Sequence, residues 1–214
     1  DVISANRVDY FIANSKHTAR RIWRCYRREA EVIYPPVEID RFSVGEKKED
    51  FYLTVCRLVS YKKVSLMVKA FNKLGRSLFV IGTGPELEQI RRLARPNVRV
   101  LGWQPAEVVG KYLREAKAFV YAACEDFGMA IVEAQACGTP VIAYGGGGAL
   151  ETVRDLRQAP DSATGVLFSP QTEDALVEAV ELFEAKRGEL VAEVLRSHAA
   201  NFSPEVFKKR YLAF

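Results

Sequence analysis

Apolar residues recur along this 214-residue chain in two alternating rhythms. Short runs rich in β-branched and aromatic residues read as strands at residues 8–14, 31–34, 51–56, 77–81, 98–101, 118–121, 139–143 and 165–168. Helical spacing of apolar positions predicts helices from 16 to about 26, then at 64–74, 86–93, 106–116 and 129–137, with a mostly helical tail from 173 to 214. Ser15 is suited to cap the first helix, and Ser203-Pro204-Glu205 supplies a cap and first turn for the last one. Residues 37–50 are polar and irregular, contain Gly45, close on a run of charges and read as a linker. From residue 51 onward, strand and helix alternate regularly. That order predicts an α/β protein, a doubly wound parallel sheet of about six strands with helices on both faces. Ligands of such sheets bind outside the carboxyl ends of the strands.

Each of those ends carries a distinctive segment. After the strand at 118–121 come two carboxylates eight positions apart, Glu125 and Glu133, separated by Phe127-Gly128 and an apolar helical run. Glu133 is the single charge on a helix otherwise made of Met, Ala, Ile, Val, Gln and Cys, and an unpaired carboxylate there needs a partner. Glu125 stands in the turn before the helix, where free backbone N–H groups and the helix dipole favour an anion. Arg57 follows the strand at 51–56 directly, with Lys62 and Lys63 shortly after; a planar guanidinium and a mobile ammonium together suit a diphosphate, although a solvated basic turn has the same composition. Gly82-Thr83-Gly84-Pro85 permits either a tight turn or close backbone approach to a ligand, and lacks the third glycine and downstream acid of a dinucleotide fingerprint. Trp103, beside Gln104, either stacks on a base or packs under its own loop. Gly145 to Gly148 form either a flexible loop or one that brings backbone close to something.

Composition narrows the picture. The chain is 49% hydrophobic, enough for a proper core, and its net charge of +4 points to no nucleic-acid partner. Cys25, Cys56, Cys124 and Cys137 have neither disulfide nor metal spacing and read as reduced, mostly buried thiols of a cytoplasmic protein. His17 and His198 are the only histidines, so no metal site is expected. No apolar run approaches a membrane span, and no signal peptide is evident. The helix bearing Arg20, Arg21, Arg24, Arg27 and Arg28, interspersed with Ile22, Trp23 and Tyr26, either packs on its own protein or lies peripherally on an anionic membrane surface.

The segment around Glu125 and Glu133 resembles the Glu-x7-Glu signature of family-four retaining glycosyltransferases, which have the two-domain GT-B fold. The matching positions are Glu125, Phe127, Gly128, Glu133, Ala134, Ala136, Gly138, Pro140, Val141 and Ile142. Asp126 replaces the usual glycine, and Ala122-Ala123 a common Pro-Ser. Arg57-Leu58-Val59-Ser60-Tyr61-Lys62 resembles the family's Arg-Leu-x-x-x-Lys, with Lys63 at a place often taken by glycine. Tyr34-Pro35-Pro36-Val37 and Asp40-Arg41-Phe42 resemble a domain-crossing signature, so the likeness covers almost the whole chain.

The resemblance implies that the chain is the Rossmann-like C-terminal half of a GT-B enzyme. Residues 1–36 would be the end of an N-terminal acceptor domain plus the crossover, residues 37–200 the nucleotide-sugar-binding domain and 201–214 a C-terminal helix. The implied reaction is transfer of a hexose from a nucleotide diphosphate sugar to a glycan or lipid-linked acceptor of cell-surface polysaccharide assembly, with retention. The wording of the motifs most resembles mannosyltransferases, so GDP-mannose is the favoured donor, with no separate cofactor. By the same resemblance Arg57 and Lys62 hold the diphosphate and Glu125 the donor sugar, supported by backbone N–H groups of Phe127, Gly128 and Met129. Glu133 binds the ribose, and Gly82, Trp103 and Gln104 line the donor cleft. No Asp-x-Asp triplet occurs, which argues against a metal-bridged diphosphate. The alternative is a nucleotide-sugar-binding module that is catalytically silent without a partner domain.

Overall fold

The computed structural model describes residues 2–214. A first short segment holds helix α1 (Val2–Ala5), strand β1 (Ile12–Ala13), helix α2 (Lys16–Tyr26) and strand β2 (Glu31–Val32), with β1 and β2 paired in parallel as a small sheet of their own. The main body follows as β3 (Tyr52–Val55), α3 (Val64–Leu74), β4 (Leu78–Ile81), α4 (Leu87–Leu93), β5 (Val98–Gly102), α5 (Ala106–Glu115), β6 (Ala118–Tyr121), α6 (Met129–Ala136), β7 (Val141–Tyr144), α7 (Ala149–Thr152) and β8 (Gly165–Phe168). Helices α8 (Glu173–Lys186), α9 (Ala192–Ala199) and α10 (Pro204–Ala213) complete the chain.

The six main strands lie in the order β5-β4-β3-β6-β7-β8, with every neighbouring pair parallel. The expected doubly wound α/β sheet is therefore present. Its strands are buried on both faces, which is why they read as nearly continuous apolar runs. Successive residues serve opposite layers. Tyr52, Ala118, Val120 and Ile142 face α3, α4 and α8, whereas Leu53, Phe119, Tyr121, Val141 and Ala143 join the layer that includes Leu113 of α5 and Ile131 and Ala134 of α6. After β5 the chain crosses back to the centre and lays β6 beside β3, then continues outward on the other side. The sheet reverses its winding between β3 and β6, and a crevice opens there at the carboxyl ends.

The irregular stretch at 37–50 is not a free linker. It is regular only over a 3-10 turn at Ile39–Arg41, but it is integrated into the core. Val37 and Ile39 are buried with Phe127, Val132, Ala136, Ala199 and Phe202 in a separate small core. The Lys48 ammonium donates to the Arg114 carbonyl at 2.8 Å and to Thr139 Oγ1 at 2.6 Å. Arg114 lies in the last turn of α5, so a cation meets the negative end of that helix dipole. Burial pushes the Lys48 pKa down to about 8. Polarity was a poor guide here because the stretch buries its few apolar residues singly rather than in a periodic run.

The caps predicted at the helix starts are present: Ser15 accepts from Thr18 N–H at 3.0 Å, and Ser203 from Val206 N–H at 3.3 Å. Helix α10 returns to the first segment, where Phe214 meets Tyr10 edge-on and Arg210 lies over the Tyr34 ring. Residue 1, the start of the expected 1–36 segment, lies outside the described residues. All four cysteines are free, but Cys25 and Cys124 are exposed, so the expectation of mostly buried thiols holds only for Cys137 and partly for Cys56.

Candidate functional site

The loops after β3, β6 and β7 converge over the β3–β6 crevice. From the first loop, the Lys62 ammonium donates to Glu125 Oε1 at 2.6 Å and to the Tyr121 hydroxyl at 2.8 Å. Tyr121 is the last residue of β6, so the cluster bridges the two strands between which the sheet reverses. Burial works against charging Lys62, but the hydrogen bonds to Glu125 and Tyr121 outweigh it and raise its pKa. Burial is also the main cause that raises the Tyr121 hydroxyl. The Lys62–Glu125 pair is largely withdrawn from solvent (side chains 12% and 22% exposed).

The two lysines are placed differently. Lys63 takes a left-handed backbone conformation, φ +56°, which accounts for the frequency of glycine at this place in the resembled family. Its side chain is exposed, whereas Lys62 points into the site. Arg57 is exposed at the same edge, and its guanidinium forms no hydrogen bond or ion pair among the described residues.

The glycine loop after β7 is ordered by backbone. Gly148 N–H donates to the Glu125 carbonyl at 2.7 Å, and Gly147 forms a parallel bridge with Glu125. A Cβ on Gly147 would fall 2.1 Å from the Glu125 carbonyl oxygen, and one on Gly148 2.4 Å from Phe127 backbone. The flexible-loop alternative is therefore replaced by a tight clasp on the Glu125 turn. The Gly82–Gly84 turn similarly presses on the loop that carries Arg57: added Cβ atoms would meet the Cys56 and Leu58 carbonyl oxygens. Those glycines shape the site through the protein's own backbone.

The remaining expected residues are distributed as follows. Phe127 buries its ring against Tyr34 and Phe202, leaving only its backbone for a ligand. None of the N–H groups of Phe127, Gly128 and Met129 is taken up by a hydrogen bond among the described residues, and Met129 is half-exposed at the start of α6. The Glu125 carboxylate turns to Lys62 rather than to these donors. Glu133, on the second turn of α6, has no side-chain hydrogen bond or ion pair among the described residues; burial raises its pKa, against a pull from the Arg41 charge. The partner expected for it is not supplied by the described residues. Trp103 is 71% exposed and so does not pack under its loop, while Gln104 donates to the Leu101 carbonyl at 3.0 Å. Both lie beyond edge strand β5, and no hydrogen bond or ion pair links them to the Lys62–Glu125 pair among the described residues.

Sequence reasoning missed three participants. Tyr121 was read only as a strand residue. Asp126, noted as a departure, accepts both guanidinium N–H groups of Arg21 at 2.8 Å. Glu151 accepts from the backbone N–H groups of Lys16 and His17 at 2.8 and 3.0 Å and from the Tyr34 hydroxyl at 3.0 Å. Burial and the Glu151 hydrogen bond push the Tyr34 pKa up to about 12. No helix of the described residues is long and apolar enough to cross a membrane.

Residues 36–201 match the family described as glycosyl transferases group 1. Curated relatives include the D-inositol 3-phosphate glycosyltransferases of Mycobacterium bovis (strain BCG / Pasteur 1173P2) and Mycobacterium tuberculosis (strain CDC 1551 / Oshkosh). Each is 28% identical over 230 residues, covering 94% of this chain and 47% of the relative. The chain thus spans about half the length of the curated relatives it matches. Among solved structures, the sucrose-phosphate synthase of Thermosynechococcus elongatus superposes with a TM-score of 0.81 at 22% identity, over 95% of this chain and 57% of that one. Anabaena HepE in complex with UDP and glucose gives 0.82 at 20% identity, over 99% and 64%. These two likenesses are of fold.

Proposed function

Because the chain belongs to the glycosyl transferases group 1 family, we propose that it is the donor-binding half of a GT-B hexosyltransferase, working on a nucleotide diphosphate sugar with retention. The observation that carries this reading is the Lys62–Tyr121–Glu125 cluster spanning the reversal between β3 and β6. A buried ammonium with one carboxylate partner, beside an unpaired arginine at the same sheet edge, suits a diphosphate. Lys62 and Arg57 would bind the diphosphate and stabilise the charge that develops as it leaves. Glu125, once Lys62 turns to phosphate, would accept hydrogen bonds from the sugar hydroxyls. Glu133, half-buried and unpartnered, would do so from the ribose. Transfer needs donor and acceptor held together, and the missing positioning would come from an acceptor-binding domain facing this edge. The acceptor class favoured is a glycan or lipid-linked glycan. GDP-mannose is the donor favoured by the sequence resemblance; the HepE neighbour is named for its UDP complex, so UDP-glucose is the comparison ligand.

Calorimetric titration with GDP, UDP, GDP-mannose and UDP-glucose tests the site, and a nucleotide-release assay with and without an acceptor domain tests the half-enzyme reading. The expected result is saturable binding of one nucleotide diphosphate and its sugar, with at most slow hydrolysis by the chain alone. No binding of any of the four would overturn the donor site. Multiple-turnover transfer by this chain alone would overturn the half-enzyme reading.

A further inference from the structure

Helix α2 is fastened at two points, one on the Glu125 turn and one on the helix that follows the glycine loop. At one, the Arg21 guanidinium forms a two-pronged pair with Asp126, the residue next to Glu125, with both N···O distances 2.8 Å. At the other, the first two N–H groups of α2 donate to the carboxylate of Glu151. Glu151 lies on α7, directly after Gly148, whose N–H holds the Glu125 carbonyl. Glu125 is therefore flanked in sequence and across the turn by groups fastened to one helix. The end-on contact follows from helix chemistry: the first N–H groups of α2 have no partner within the helix, and a carboxylate there also meets the positive end of the dipole.

The Arg21–Asp126 pair is half-exposed, 53% and 44%, and such pairs add little to stability. What a forked pair does supply is orientation, since two parallel hydrogen bonds fix a carboxylate plane. The hydrogen bond and the charge of Asp126 raise the Arg21 pKa, and Arg21 lowers that of Asp126, so both groups are ionised together at neutral pH. Asp126 stands where the resembled family has glycine, and a glycine could form no such pair.

We propose that Arg21 is a positioning residue for the donor sugar: its fork on Asp126 aligns the neighbouring Glu125 carboxylate, so that the seating of α2 sets how tightly the sugar half of the donor is held. This rests on the reading of Glu125 as the group that meets the sugar.

The test compares Arg21→Ala, Asp126→Ala, the double variant and Glu125→Gln. Each is titrated with the bare nucleoside diphosphate and with its sugar, using whichever of the GDP/GDP-mannose and UDP/UDP-glucose pairs binds the parent chain. Each alanine variant should weaken the nucleotide sugar about fivefold, the size of coupling common between contacting residues. The bare diphosphate should be unaffected, and melting temperature unchanged. The double variant should be no worse than either single one. Unchanged sugar affinity, equal weakening of both ligands, or additive losses in the double variant would each overturn the positioning role. Glu125→Gln separates the two levels. If it leaves the preference for the sugar ligand at the parent value, the donor-sugar reading fails and this inference with it. If it removes that preference while Arg21→Ala does not, only the role of Arg21 falls.

Discussion

The strand pair β3–β6 carries the same three residue types at both of its ends. At the carboxyl ends Lys62 bonds Tyr121 and Glu125; at the amino ends Lys117 and Tyr52 both bond Glu184 of α8. Each ammonium also lies over its tyrosine ring, 5.4 Å from the centroid for Lys62 and 5.5 Å for Lys117. The two clusters differ in saturation. Glu184 receives Tyr52 at 2.8 Å and Lys117 at 3.2 Å on one oxygen and Arg76 at 2.8 Å on the other, and Lys117 also pairs with Asp50. Burial would raise the Glu184 carboxyl, but these hydrogen bonds win and lower its pKa. Two cations face two carboxylates there. At the opposite end the second oxygen of Glu125 has no partner among the described residues, and Arg57 and Lys63, on the same loop as Lys62, are exposed with no ion pair among them. One cation meets one carboxylate, and two more cations on that loop are left unpaired. The amino end is a closed structural network covered by α8, whereas the carboxyl end has surplus positive charge and unused acceptors where the sheet opens. Identical chemistry becomes a strut or a site according to what is left unpaired.

The widest separation between the two ends should come from removing cations. Replacing Arg57 and Lys62 together by alanine should abolish nucleotide diphosphate binding, at least about a hundredfold, since hydrogen bonds between ionised partners are worth about 1.5–3 kcal/mol each. Binding of a nucleoside without phosphates should barely change, as read by calorimetry. Parent-like diphosphate affinity would place the phosphate site elsewhere and erase the contrast. Lys117→Ala, the matching change at the amino end, should instead lower unfolding free energy by about 1.5–3 kcal/mol in urea titration and leave ligand affinity alone.

Glu133 sharpens the contrast through pH. Its pKa is raised above the ordinary 4.5 by burial, so the folded state favours its protonated form. The stability this contributes is present in full below that ordinary value and is lost as pH rises through the folded value, leaving a net cost at neutral pH. Glu133→Gln should therefore raise the melting temperature at pH 7, a gain that disappears near pH 4, while weakening nucleotide affinity. A lower melting temperature at pH 7 would return Glu133 to a structural role. The smallest effects are expected of the two tyrosines. Tyr52→Phe should cost about 1 kcal/mol of stability with no change in binding, because it removes one partner of Glu184. Tyr121→Phe should weaken nucleotide binding a few-fold with little change in stability, because it removes one of the two hydrogen bonds that orient the Lys62 ammonium over the crevice.

The alternation of strand and helix, the serine caps and the carboxylate–glycine stretch at 123–140 were all determined by the sequence alone. Each depends on residues within a turn or two of one another, where apolar period and backbone propensity act directly. The parallel sheet followed from that alternation. The tertiary structure decided what depends on which strands become neighbours. Only the crossing that sets β6 beside β3 brings Lys62 to Glu125 across 63 residues of chain. Only the fold turns the Lys62 ammonium to Glu125 and leaves Lys63, in a left-handed backbone conformation, exposed. The burial of 37–50, the Arg21–Asp126 fork and the Glu151 carboxylate at the start of α2 likewise join residues far apart in the chain. Such pairings leave no local period to read, because the energy that fixes them comes from desolvation and charge in a crevice that exists only once the sheet has formed.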